Sequence, residues 1–139
     1  DSIVDGVVID HIPAGGAMEL YRFLGLDKLQ CQVALIKNAS SHKMVRKDII
    51  KISGNIDINL DILGYIDPGI TINYIQNNKL IHKCQPTLPE RITGVIRCKN
   101  PRCITTIEQE TPHVFKLTDR QNVVYRCIYC ETRAKRDRF

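Results

Sequence analysis

The sequence contains no tryptophan and only five tyrosines and three phenylalanines among its 139 residues. No run of apolar residues approaches the roughly 18 that a transmembrane helix requires. The first residues show no basic stretch followed by an apolar core, so we expect no signal peptide. Neither the G-x-G-x-x-G pattern nor a P-loop occurs, and no specific nucleophile–base pairing is visible. We therefore expect a protein that is not itself an enzyme.

The charges and cysteines are distributed unevenly, which indicates two domains. The chain carries 20 basic and 15 acidic residues, a net charge of +5. Residues 1–90 hold nine basic and ten acidic side chains, whereas residues 91–139 hold eleven and five, a net charge of +6. Four of the six cysteines lie in the second segment.

Residues 1–90 alternate between short β-branched segments and helical patterns. We predict strands at residues 3–9, 30–37, 45–53, 70–76 and 79–83, and helices at residues 17–26 and 60–66. Gly25 is predicted to end the first helix, and Asn59 to cap the second. The order of elements, with one added hairpin strand, is the ferredoxin-like βαββαβ pattern of the α+β class.

A proline-containing linker, Pro86-Thr87-Leu88-Pro89, interrupts this pattern. We therefore expect one domain at residues 1–90 and a second at residues 91–139. The second domain is strand-rich, and a strand pair is predicted at residues 114–117 and 123–126.

The four cysteines of the second segment have metal-ligand spacing. Cys98 and Cys103 form a C-x4-C motif, Cys127 and Cys130 form a C-x2-C motif, and 23 residues separate the two pairs. Two such pairs can direct four thiolates at one point, which is the closed form of a structural zinc site. A segment this short buries little apolar surface, and a bound metal stabilises such domains. We therefore predict a small, strand-rich, zinc-ribbon-like domain in which four cysteines bind one structural zinc.

Other roles for the cysteines remain open at this point. Iron takes the same four ligands, and the sequence does not separate it from zinc. Disulfides need an oxidising compartment, and nothing in the sequence indicates secretion. A redox C-x2-C pair normally opens a helix in a thioredoxin-like unit, whereas Cys127 follows a strand pattern. Cys31 and Cys84 lie in strand patterns, and we expect both to be buried thiols.

The positive charge of the second segment has two interpretations. A zinc ribbon with a net charge of +6 is compatible with nucleic-acid binding, and equally with docking on an acidic protein surface. Part of the excess offsets the formal −2 charge of a zinc ion bound by four thiolates. Because the segment has few aromatic rings for base stacking, a zinc-ribbon nucleic-acid-binding protein is kept as the alternative function.

The first segment contains a set of residues that suit an anion. Lys47 and Lys51 share one face of the strand predicted at residues 45–53, and Lys83 lies on the last strand. Asp10-His11 ends the first strand, and Asn73 offers an amide that can recognise a base or a sugar. From the residues alone, a solvated sheet face explains these lysines better than a binding site does.

Five motifs occur in order along the chain and carry a family resemblance. They are VIDHIPA at residues 8–14, RKDIIKI at 46–52, PTLPERI at 86–92, the C-x4-C-I-T motif at 98–105 and YRCIYCE at 125–131. Together they closely resemble the regulatory chains of aspartate carbamoyltransferase, over nearly the whole sequence. The resemblance implies a non-catalytic, cytoplasmic subunit in pyrimidine biosynthesis, with no membrane or nucleic-acid partner.

The resemblance also implies where this family binds its ligands. In that family the N-terminal domain binds the nucleotide effectors CTP and ATP, regulatory chains pair as dimers, and the zinc domain docks on the catalytic chain. Carried over by position, the nucleotide-site residues are Ile3, Asp10, His11, Lys47, Lys51, Asn73, Ile75, Leu80 and Lys83. By the same match the zinc ligands are Cys98, Cys103, Cys127 and Cys130, and the contacts to the catalytic chain are Asn100 and Glu131.

Overall fold

The computed structural model describes residues 4–135, which form two compact units. The first unit ends at Thr87 and the second begins at Leu88, so the linker predicted at residues 86–89 spans the division. Among the described residues, no helix is long and apolar enough to cross a membrane.

The first unit is built on a five-stranded antiparallel sheet. Its strands are β1 (Gly6–Pro13), β2 (Gln32–Ser40), β3 (Arg46–Ser53), β4 (Thr71–Gln76) and β5 (Lys79–Cys84). They are arranged in the order β2-β3-β1-β4-β5. This is the strand order of a ferredoxin-like βαββαβ unit with one hairpin strand added at the edge, as the sequence predicts.

Two short helices connect the strands. Helix α1 (Ala17–Phe23) is followed by a 3-10 turn (Leu26–Lys28), and helix α2 (Leu60–Ile66) connects β3 to β4. Gly25 adopts a left-handed backbone with φ 68°, which ends α1 before the predicted residue 26. The Asn59 side chain accepts hydrogen bonds from the backbone N–H groups of Asp61 and Ile62, so the predicted cap of α2 is confirmed.

The alternation of the strands divides the sheet into an apolar and a polar face. Ile9, Ile50, Ile52 and Ile72 are completely buried on one face, together with Leu20 of α1 and Leu63 of α2. On the other face of β3, Lys47, Ile49 and Lys51 are only half-buried. The period-two pattern of β3 therefore predicts correctly which side chains enter the core.

Strand β1 lies later in the chain than the predicted residues 3–9, because it begins at Gly6 and a bulge carries it past residue 9. The register to β3 shifts between Ile9 and Ile12, and His11 lies in the bulge with a left-handed φ of 60°. A left-handed residue other than glycine is costly, and such bulges re-orient side chains at functional sites. The turn residues Pro13 to Gly16 end the strand four residues later than expected.

Asp48 holds the loops around this bulge together. Its side chain is completely buried on the core face of β3. One carboxylate oxygen accepts hydrogen bonds from the backbone N–H groups of Gly15 (3.0 Å) and Ala17 (3.1 Å), and the other accepts one from Asn38 (3.0 Å). Asp48 thereby fixes the start of α1 and the end of β2 to the central strands.

The second unit contains a three-stranded antiparallel sheet and one short helix. The strands β6 (Arg91–Thr93), β7 (Val114–Asp119) and β8 (Val124–Cys127) are adjacent in that order, and α3 (Ile104–Ile107) precedes β7. Phe115 and Ile92 are buried between them, and the buried Tyr125 hydroxyl donates a 2.7 Å hydrogen bond to the Pro89 carbonyl. The predicted strand pair is present and extends through Asp119 and Cys127.

Candidate metal centre and effector-binding face

The second unit brings the four predicted cysteine ligands to one point. Cys103 precedes α3, and Cys127 ends β8. Cys98 lies in the irregular segment after β6, and Cys130 lies in the turn after β8. Their Sγ atoms all lie within 4.8 Å of one another. Cys31 and Cys84, which we expected to be buried, are half-buried in the first unit.

The sulfur spacing fits one tetrahedral zinc ion. A Zn–S bond of about 2.3 Å places the sulfurs of a regular tetrahedron about 3.8 Å apart. The Cys98 and Cys130 sulfurs are 3.5 Å apart, and the Cys103 and Cys127 sulfurs are 3.6 Å apart. With a zinc ion bound, four thiolates would complete a closed coordination shell, which is the structural type of site and would leave no ligand position for a substrate.

The thiols differ in how easily they ionise. Burial and the neighbouring Cys130 sulfur raise the pKa of Cys98 to about 12. Burial also opposes ionisation of Cys130, but its hydrogen bonds with Thr132 and Asn100 hold its pKa at about 6. The Thr105 hydroxyl, 3.1 Å from the Cys103 sulfur, lowers the pKa of that thiol. Because adjacent thiolates repel one another, a divalent cation is the group that stabilises four of them together.

A further layer of hydrogen bonds orients the ligands and is not visible in the cysteine motifs. The backbone N–H of Cys98 donates to Nδ1 of His113 over 2.9 Å, and the His113 carbonyl accepts from the Gly94 N–H. His113 thus connects the first cysteine turn to the start of β7. Such outer groups fix the direction of metal ligands.

The two predicted contact residues for a catalytic chain lie in the cysteine turns. The Asn100 side chain accepts a hydrogen bond from the Arg102 N–H, and its carbonyl accepts one from the Thr106 hydroxyl. Glu131 is exposed and has a left-handed φ of 64°. Asn100 and Glu131 therefore depend for their position on the fold of the metal centre.

The first unit brings most of the predicted nucleotide-site residues to the polar face of its sheet. In register across four strands, Lys51 lies opposite Val8, Val8 opposite Asn73, and Asn73 opposite Lys83. Residues directly opposite in a sheet point to the same side, and Lys47 is four residues before Lys51 on the same face of β3. We call the set Lys47, Lys51, Asn73 and Lys83 the lysine face.

The spacing of the lysine face suits an extended anion. Three strand intervals separate Lys51 from Lys83, which is about 14 Å between their backbones. Long lysine side chains can converge across that distance on a chain of phosphates. The predicted residue Ile3 lies outside the described residues.

Asp10 and His11 belong to a group of hydrogen-bonded polar side chains at the edge of the lysine face. The Lys47 ammonium group lies 2.9 Å from one Asp10 oxygen and 3.2 Å from the other. Burial opposes ionisation of Asp10, but the hydrogen bonds from Lys47 and from the His11 N–H outweigh it and lower its pKa. His11 Nδ1 is 3.0 Å from the Thr71 hydroxyl on β4. These contacts fix the orientation of both side chains.

Beside the lysines, the same face carries an unpaired amide and an apolar pair. The Asn73 side-chain oxygen is buried and has no hydrogen-bond partner among the described residues. Ile75 and Leu80 lie opposite each other on β4 and β5, and Leu80 is 57% exposed. Cations, an amide and an apolar surface therefore follow one another across the sheet.

Comparison with known proteins identifies both units. The family model "aspartate carbamoyltransferase regulatory chain, allosteric domain" matches residues 1–87, and the model "aspartate carbamoyltransferase regulatory chain, metal binding domain" matches residues 90–139. The match does not favour the nucleic-acid-binding alternative.

Curated relatives agree over nearly the whole length. The aspartate carbamoyltransferase regulatory chain of Clostridium tetani is 50% identical over 131 residues, covering 94% of this chain and 91% of that protein. The regulatory chain of Clostridium acetobutylicum is 45% identical, with 94% and 90% covered. That of Bifidobacterium longum is 43% identical over 134 residues, with 96% of each covered. The chain belongs to the family of aspartate carbamoyltransferase regulatory chains.

Proposed function

We propose that this chain is a non-catalytic, cytoplasmic subunit that binds CTP and ATP on its lysine face and docks its zinc unit on the catalytic chain of aspartate carbamoyltransferase. It acts in this role as a dimer with a second regulatory chain, and it controls the activity of that enzyme in pyrimidine biosynthesis. The observation that carries the proposal is the row Lys51, Asn73 and Lys83, which the pairing of β3, β1, β4 and β5 aligns on one side of the sheet.

The lysines of the row suit a triphosphate. Lysine ammonium groups bind phosphate as point charges, and several of them around one anion give charge-assisted hydrogen bonds. Lys47 is already held by Asp10, so this lysine is oriented before the ligand arrives. A fixed cation loses little side-chain entropy on binding, which favours affinity.

The remaining groups of the face suit a nucleoside. A buried amide oxygen without a partner is costly, and a donor from a ligand relieves that cost. The Asn73 oxygen can accept such a donor from a ribose hydroxyl or a base amino group. The adjacent Ile75 and Leu80 offer an apolar surface to the flat base.

Regulation follows if the nucleotide binds two quaternary states of the enzyme with different affinity. A ligand shifts an equilibrium only by its difference in affinity for the two states, and the zinc unit transmits that shift through its contact with the catalytic chain. The structural zinc holds the turns that present Asn100 and Glu131 to that contact.

Calorimetry of nucleotide binding tests the effector site. Replacing Lys83 by alanine should weaken CTP and ATP about tenfold or more, since one charge-assisted contact to phosphate is lost. Lys47→Ala should have a similar effect, because Asp10 then lies unpaired beside the phosphates. The matched control is Lys28→Ala, which changes an exposed lysine in the 3-10 turn outside the sheet. Unchanged affinity in both lysine-face variants would refute the site.

Association with catalytic trimers tests the docking role. Cys130→Ser removes one metal ligand and should abolish co-purification with the catalytic chain, because the turn that carries Glu131 is no longer ordered. Cys31→Ser is the matched control, since that thiol belongs to the first unit and is not one of the four clustered cysteines. Intact association of Cys130→Ser with catalytic trimers would contradict the role assigned to the zinc unit.

A further inference from the structure

The second unit carries a row of four basic residues across its sheet. Arg91 of β6 lies opposite Lys116 of β7, Lys116 lies opposite Arg126 of β8, and a further bridge places Arg126 opposite Arg133. All four side chains are at least partly exposed. Neighbouring strands are about 4.8 Å apart, so the row extends over about 14 Å. We call these four residues the cation row.

No ion pair within the described part of the chain neutralises the cation row. Among residues 4–135, no carboxylate oxygen lies within the 4 Å of an ion pair from any of the four side chains. Hydrogen bonds from Asn122 and, more weakly, the charge of Arg133 lower the pKa of Asp119. Arg126 donates a hydrogen bond to the backbone carbonyl of Glu131 rather than to its carboxylate. Like charges directly opposite in a sheet are destabilising. A row of four therefore indicates a use outside the isolated chain.

A cleft of about 500 Å³ lies along the row. Three residues of the row, Arg91, Lys116 and Arg126, line it, and so do Thr118, Ile128 and Glu131. Ile128 is 39% exposed although it is apolar. Cations bordered by a hydroxyl, an apolar side chain and one carboxylate form the mixed pattern of a protein–protein contact.

We propose that the cation row binds a run of carboxylates on the catalytic chain of aspartate carbamoyltransferase. This inference rests on the proposed function and names the chemistry of the docking partner. The cleft is continuous with the proposed contact residue Glu131, which lines it. Among the described residues, the cleft is lined by the apolar Ile128 and by no aromatic ring on which a base could stack, so an acidic protein surface fits the cleft better than a nucleic acid does.

Charge reversal at Lys116 separates binding from folding. Position 116 lies between Arg91 and Arg126, so Lys116→Glu turns two repulsive cross-strand pairs of the free chain into attractive ones. The variant should therefore fold and bind zinc as the natural chain does. Against a carboxylate partner the same change creates repulsion, and we expect at least about a tenfold loss of affinity for catalytic trimers.

The experiment measures association of the full chain with catalytic trimers by sedimentation velocity or surface-based binding at several NaCl concentrations. Arg91→Glu is the second variant, and Lys28→Glu in the first unit is the control with the same change of charge. The natural chain and the control should lose affinity steeply with salt, whereas Lys116→Glu and Arg91→Glu should bind weakly with a flatter salt dependence. Zinc content and circular dichroism verify that the variants are folded.

The possible outcomes distinguish this inference from the proposed function. If the natural chain binds catalytic trimers and both row variants bind them equally well, the cation row is not the docking surface, while the proposed function stands. If the natural chain does not bind catalytic trimers at all, both proposals fail. If the row variants lose only binding to a single-stranded oligonucleotide, the row serves a nucleic acid and the inference is overturned.

Discussion

For a side chain of its size, Asp48 should contribute more than any other to the free energy of unfolding of the first unit. It is completely buried, and its two oxygens accept hydrogen bonds from the backbone N–H groups of Gly15, Ala17 and Asn38. Replacement by alanine leaves all three donors without their partner and opens a small cavity in the core. The start of α1 and the end of β2 then lose their common anchor to β3.

The magnitude follows from where the three donors lie. Ala17 is completely buried, so its N–H group loses a charge-assisted hydrogen bond with no water to replace it, which costs about 1–3 kcal/mol. Gly15 and Asn38 are exposed, so water takes over part of their bonding at about 1 kcal/mol each. We therefore expect Asp48→Ala to lower the free energy of unfolding of the first unit by about 3–5 kcal/mol. Asp48→Asn keeps one acceptor and should cost about half as much.

Urea unfolding followed by circular dichroism, with zinc present throughout, measures this effect. The control is Asp61→Ala, an exposed acidic residue in the first turn of α2. The transition of the zinc unit should not move, because contacts within the second unit are unchanged. A loss below about 1 kcal/mol in Asp48→Ala would show that the three hydrogen bonds contribute little and that the loops around the bulge are held by other contacts.

Four further predictions concern the remaining features. The pKa of Asp10 is lowered in the folded chain, so its stabilising contribution is present above the unfolded value of about 3.9 and is lost as pH falls through the folded pKa. Asp10→Asn should therefore flatten the acid side of the plot of urea midpoint against pH. An unaltered plot would contradict this prediction. Glu131→Gly removes the conformational free-energy cost of a glutamate with a left-handed backbone. In thermal melts the zinc unit should be equally stable or up to about 1 kcal/mol more stable, whereas association with catalytic trimers should weaken. Undiminished association would exclude Glu131 as a contact. Tyr125→Phe deletes the buried hydrogen bond to Pro89 and should destabilise the second unit by about 1–2 kcal/mol in the same melts. An unchanged melting midpoint would show that this hydrogen bond does not stabilise the unit. Chelation of the metal should unfold the second unit, while the amide signals of the five-stranded sheet persist in NMR spectra. If the amide signals of the second unit also persist without metal, zinc does not stabilise that unit.

Local patterns along the chain carry much of the information about this fold. Asn59 is a predictable cap because its side chain bonds N–H groups two and three residues later. Strand β3 shows its two faces because Lys47 and Lys51 share one side while Ile50 and Ile52 share the other, a signal that needs no distant partner. The end of β1 is not predictable in this way, because the bulge at His11 is held by Thr71 and by pairing with β3, contacts far away in the chain.

The sequence by itself determined the chemistry of the metal site. The C-x4-C and C-x2-C spacings restrict each pair of thiolates to one turn, so Cys98, Cys103, Cys127 and Cys130 are recognisable as ligands from local geometry alone. Five ordered motifs likewise sufficed to indicate the family, which the two family models confirm.

Only the tertiary structure decided which residues share a surface. Lys51, Asn73 and Lys83 form one row because β1 lies between β3 and β4, and Arg91, Lys116 and Arg126 form another because β7 lies between β6 and β8. Strand order and register are set by the simultaneous burial of apolar faces from distant segments, and a slip of one residue would turn each row to the opposite side. Both proposed binding surfaces therefore arise from long-range pairing, whereas the metal centre needs that pairing only to bring two local motifs together.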